Sequence, residues 1–187
     1  MENMIKIDEL FVNLESKDDA LRYDSFKKLL ELTSAEVTWI YDYWQICVDK
    51  LTSKNSFHRS IGLMLIANLT LSDSENKFEE IIDTYLDFFN DEKFITSRQC
   101  LQNVWRVAVN KEVYKQRVVS ALKDAYSKNI HLSRSENLIK QDIVFSLHKI
   151  SKFYKDKDLS DYIDKLIAGE NDKKIVKALL LAKASGA

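Results

Sequence analysis

A chain of 187 residues with 45% hydrophobic and 11% aromatic content carries enough apolar surface for one folded domain, 1–187, which excludes wholesale disorder. Proline is absent and the only glycines are Gly62, Gly169 and Gly186, so the turn chemistry of a sheet protein is missing and helices joined by short polar loops are expected. Net charge is −1, but residues 1–90 hold 9 Lys/Arg against 17 Asp/Glu (−8) and residues 91–187 hold 19 against 12 (+7), an acidic half followed by a basic one.

In chain order, Ile7, Leu10, Phe11 and Leu14 have the i, i+3, i+4, i+7 spacing of one helix face. Asp18 follows a polar break and is placed to cap a second helix that runs through Leu32. Thr33 and Glu36 have the spacing of a capping box, which predicts the start of a third helix with the stripe Val37, Ile40, Tyr41, Trp44, Cys47, Val48 and Leu51. Between Arg59 and Asp73 there is no charged residue, and Ile61, Leu63, Met64, Leu65, Ile66, Ala67 and Leu69 leave no polar face. A helix apolar nearly all round is a buried helix, and this one is too short to span a membrane, so a central helix is expected from about Ser56. Phe78, Ile81, Ile82, Tyr85, Leu86 and Phe89 predict a fifth helix, and a sixth runs from about Glu92 to Val109. Tyr114 to Ala125 gives a seventh, and a polar loop over 127–133 precedes an eighth from Ile139 to Tyr154. Leu159 to Ile167 forms a ninth stopped by Gly169, and Ile175 to Ala184 a tenth, with a frayed end over 183–187. Cys47 and Cys100 fall inside apolar patterns and read as buried thiols in a reducing cytoplasm. The start, Met1 to Lys6, lacks the basic opening and long apolar core of a signal peptide.

Each even-numbered helix opens with a polar turn, then a basic residue, then an apolar run. The basic residues are Arg22, Arg59, Arg98, Lys140 and Lys177, at intervals of 37, 39, 42 and 37. In this respect the chain resembles the HEAT-repeat, armadillo-type α-solenoids, in which each unit is a helical hairpin whose second helix opens on a basic residue. The resemblance covers the whole chain as five hairpins and implies an all-α solenoid whose second helices line a concave surface. The family's proline in the first helix is missing throughout, and its turn aspartate is clear only at Asp18/Asp19, Asp91 and Asp172. A compact, non-repeating helical bundle is the alternative architecture.

Catalytic chemistry finds no purchase in the sequence. His58, His131 and His148 are far apart and lack cysteines or carboxylates at metal-ligand spacing. Three isolated glycines make no phosphate loop, and no serine or cysteine sits in a nucleophile setting. No cofactor is expected, and the function expected is a non-enzymatic interaction module holding a protein or peptide on its concave face. Arg59, Arg98 and Lys140 open successive second helices as a ladder, and Arg106, Arg134, Lys149 and Lys152 extend the basic character. With Trp105 beside Arg106, the residues picked out for partner binding are Arg59, Arg98, Trp105, Arg106 and Lys140. A fainter resemblance, carried by Ser53 to Arg59, Phe94 to Arg98 and Trp105-Arg106, is to the DNA-alkylation-repair glycosylases, also built from HEAT-like hairpins. It implies nucleic acid in a basic groove, but the catalytic aspartate of those enzymes has no matched position here.

Overall fold

A computed structural model describes residues 6–128 and 136–185. These form ten α-helices, with no strand among the described residues: α1 (Ile7–Asn13), α2 (Asp19–Leu32), α3 (Ile40–Leu51), α4 (Ser56–Leu69), α5 (Ile82–Asp87), α6 (Phe94–Asn110), α7 (Lys115–Ser127), α8 (Glu136–Tyr154), α9 (Lys157–Ala168) and α10 (Lys173–Ser185). Three single 3-10 turns, Lys77–Glu80, Phe88–Asn90 and Glu112–Tyr114, complete the connections. Among the described residues no helix is long and apolar enough to cross a membrane. The polar loop expected over 127–133, with His131, lies largely outside the described residues, as do Arg134 and Gly186.

Consecutive even-numbered helices pack on one another: α2 on α4, α4 on α6, α6 on α8 and α8 on α10. Hydrogen bonds between them recur at about one repeat of sequence. Asn68 Nδ2 donates to Leu30 O, the Thr96 hydroxyl to Ser56 O, Asn110 Nδ2 to Ala67 O, the Ser146 hydroxyl to Leu101 O and the Tyr154 hydroxyl to Ala108 O. Each tie gives a buried or half-buried helix carbonyl a partner on the neighbouring even-numbered helix. The packing is compatible with helical repeats.

The uncharged stretch is buried as expected. In α4, Ile61, Leu63, Leu65, Ile66 and Ala67 are wholly covered, with α2, α3 and α6 around them. Gly62 lets α3 and α4 approach closely: a Cβ there would stand 2.9 Å from Cys47 O and 3.0 Å from Lys50 Cβ. Trp39 and Tyr43, on a different face from Tyr41 and Trp44, serve packing too. Phe11 of α1 stacks on Tyr43 at 4.3 Å and meets Trp39 edge-on.

Several local expectations are corrected. Thr33 does not open α3. It closes α2, its hydroxyl donating to Leu29 O at 2.7 Å and accepting from Asn68 Nδ2 at 3.1 Å, while α3 starts at Ile40 without a side-chain cap. The fifth helix is broken in three: Asn76 takes a left-handed φ of 56°, Asp73 caps the Lys77 and Phe78 amides, and Ile81 at φ −120° interrupts the run before α5. Gly169 ends α9 with φ −80°, an ordinary right-handed value, so the stop does not use glycine's left-handed freedom. Residues 183–185 are helical rather than frayed.

Candidate functional site

The cations at the second-helix starts are engaged within the molecule. Arg59 is forked onto Asp91, Nε to Oδ2 and Nη2 to Oδ1 both at 2.8 Å, and its Nη1 donates to Ser53 O and Lys54 O. Arg98 binds Asp142 the same way at 2.6 and 3.0 Å, and Gln102 adds a third donor to that carboxylate at 2.8 Å. Lys140 reaches Glu170 at 2.8 Å. Arg22 turns back to Ser16 O and pairs with Asp19. The pattern is a ladder in which Arg59, Arg98 and Lys140 each hold a carboxylate of the following unit. The hydrogen bonds from Asp91 and Asp142 hold Arg59 and Arg98 above the ordinary arginine range.

Arg106 and Trp105 are placed differently. They lie on α6 two turns beyond Arg98, in a groove of about 700 Å³ between α6, α8 and α10. Phe145 and Lys149 enter it from α8, and Ala178, Leu181 and Ala182 from α10. The Arg106 guanidinium lies 4.5 Å from the Trp105 ring centre, and its Nη1 donates to Asn103 Oδ1 at 2.9 Å. The Lys149 ammonium stands 5.5 Å from the Trp105 ring centre and 5.7 Å from that of Phe145. Among the described residues neither cation has a carboxylate within ion-pair distance. Burial therefore pulls Arg106 below the ordinary arginine range, although an arginine keeps its charge at neutral pH. Among the described residues the one carboxylate lining the groove, Asp142, is occupied by Arg98 and Gln102. Next to Lys149, burial and then the neighbouring Lys183, Lys152 and Lys149 hold the His148 imidazole below the ordinary histidine range.

The five residues picked from sequence thus fall into two groups. Arg59, Arg98 and Lys140 belong to the interhelical ladder, and Trp105 and Arg106 to the groove. Sequence reasoning passed over Phe145 and Leu181, and it had no partner for Asp142. The signal was present as spacing: 142, 145 and 149 on α8, and 178, 181, 182 and 185 on α10, each mark one helix face.

The groove holds no nucleophile and base in contact, and among the described residues no group of three or more His, Cys, Asp or Glu is placed to hold a metal ion. The thiols of Cys47 and Cys100 are buried away from it, and burial pushes Cys47 up to about 12. What this arrangement offers is two cations backed by aromatic rings beside an apolar wall. No protein-family profile and no curated protein matches the chain.

Proposed function

We propose that this protein is a non-enzymatic interaction module of HEAT-like helical-repeat type, and that it holds a segment of a partner protein in the α6/α8/α10 groove. The observation that carries the reading is the placement of Arg106 and Lys149. A half-buried cation without a counter-charge costs stability, and Arg106 is met only by Asn103 Oδ1 and the Trp105 ring. Leu181 stands 61% exposed on the far wall, an apolar group left for contact beside the charged one.

Nucleic acid is the second reading, favoured by the contact between the Arg106 guanidinium and the Trp105 ring. It has less support, because tracking a phosphate backbone takes a row of available cations. Arg59, Arg98 and Lys140, which would supply that row, are bound to Asp91, Asp142 and Glu170.

Panning a random peptide library against the protein and against Ala178→Trp, which fills the groove, tests the reading. Sequences that enrich on the parent and lose binding to Ala178→Trp are expected. Enrichment that is absent, or indifferent to the filled groove, overturns it. A low-salt titration with duplex DNA that shows groove-dependent binding would favour the second reading instead.

A further inference from the structure

We infer that the groove selects an acidic segment whose carboxylate seats between Arg106 and Lys149 while a neighbouring apolar side chain covers Leu181. This rests on the reading of the groove as a protein-binding site and adds the chemistry of what enters it.

The two walls of the groove differ in kind. On the α6 and α8 side, Arg106 and Lys149 stand 4.5 and 5.5 Å from the centre of the Trp105 ring, so both charges border the same stretch of the groove. The rings offset part of the cost of half-burying these cations, and both side chains line the groove. Arg106 spends one donor on Asn103, which fixes the plane of the guanidinium and leaves the rest of its fork available. On the α10 side, Ala178, Leu181 and Ala182 are apolar, and the one hydroxyl, that of Ser185, donates back to Ala182 O at 3.0 Å, so the wall carries no charge. A segment carrying acidic residues alone would leave that wall wet, and one carrying apolar residues alone would bury two cations without a partner, which is the costlier error.

Charge also argues for a short acidic stretch over a long polyanion. Two groove cations match one or two carboxylates. Beyond them the next cation toward the α6 start, Arg98, is already neutralised by Asp142, and Asp142 itself lines the groove. A polyanion running along the second helices would meet that acid and then the occupied ladder, whereas a local carboxylate meets only Arg106 and Lys149. Lys140 at the α8 start is paired with Glu170 and does not extend the positive patch.

The test uses two fluorescein-labelled peptides of the same length, one of glutamate and leucine and the other with every glutamate replaced by glutamine. Binding is followed by anisotropy at low and moderate salt, against the parent, Arg106→Met/Lys149→Met and Leu181→Ser. The acidic peptide is expected to bind the parent at least about tenfold more tightly than the glutamine one. That preference should vanish in the double variant, and Leu181→Ser should weaken both peptides. Equal binding of the two peptides, with both still lost when Ala178→Trp fills the groove, overturns the acidic selection while leaving the protein-binding reading in place. An acidic peptide that fails to bind when panned peptides do also overturns it. Oligo-dT that binds the parent more tightly than the acidic peptide, through the same two cations, overturns the inference and the reading together.

Discussion

Arg98 and Arg106 stand on the same face of the same helix, two turns apart, and they do opposite things. Arg98 is forked onto Asp142 of α8, sits above the ordinary arginine range, and helps to join two units. Arg106 stands 4.5 Å from the centre of the Trp105 ring, lines a groove, is pulled down by burial and meets no carboxylate among the described residues. Stability explains the first arrangement and does not explain the second. A cation that the fold has neutralised is part of the frame, and one that the fold has half-buried and left alone is the better marker of a binding surface. The same division separates the whole ladder of Arg59, Arg98 and Lys140 from the pair Arg106 and Lys149.

The frame side of this comparison breaks most completely at Ile66. The side chain is wholly buried in α4, and an unpaired carboxylate there costs several kcal/mol against the roughly 5–15 that hold a domain together. Ile66→Asp should show no cooperative thermal transition, and a folded variant would move α4 out of its central role.

Arg59→Met comes next. Both partners are shielded, at 9% and 6% side-chain exposure, and the change strands Asp91. A loss of about 3 kcal/mol is expected in urea unfolding. A loss under about 1 kcal/mol would place Arg59 with the groove cations instead of the frame.

Gly62→Ala tests the α3–α4 approach. The added methyl meets backbone at Cys47, which cannot swing aside, so a loss of about 1–3 kcal/mol is expected from the same measurement.

Acid gives the smallest effect. Hydrogen bonding to Lys140 and to Lys115 holds Glu170 and Asp156 below the ordinary carboxylate range. Their folded values are lower than their unfolded ones, so their contribution is complete above the unfolded value of about 4 and is lost as pH falls through the folded one. Glu170→Gln should cost at most about 1 kcal/mol at pH 7 and should flatten the decline in melting temperature below pH 4. An unchanged acid limb in that variant would remove Glu170 from the ladder.

The frame was largely legible in the sequence. The absence of charge from Ser60 to Ser72 announced the burial of α4, because a helix with no polar face has nowhere else to go. The even spacing of Arg59, Arg98 and Lys140 anticipated their equivalent places at the starts of α4, α6 and α8. Thr33 was misread because a threonine three residues before a glutamate looks the same whether it opens a helix or closes the one before. Its hydroxyl turned back to Leu29. The fifth helix was misread because Phe78 to Phe89 keeps helical spacing across Ile81, whose φ of −120° separates the 3-10 turn from α5 within the stripe. The groove was legible only in part. Trp105 and Arg106 could be picked by residue type, but Phe145 and Leu181 look like core positions, and the packing of α10 on α8 leaves Phe145 half-buried at the groove and Leu181 exposed on its far wall. That Asp142 answers Arg98 depends on a register 44 residues long, which no local pattern carries.

Urea unfolding of Arg98→Met and Arg106→Met, side by side, tests the division most directly, because the two changes are chemically identical and share one helix. Arg98→Met should lose about 3 kcal/mol by leaving Asp142 buried with Gln102 alone, and Arg106→Met should stay within about 1 kcal/mol of the parent or gain. Equal losses, or a larger loss at Arg106, would mean that the groove cation is holding the fold and is not held ready for a partner.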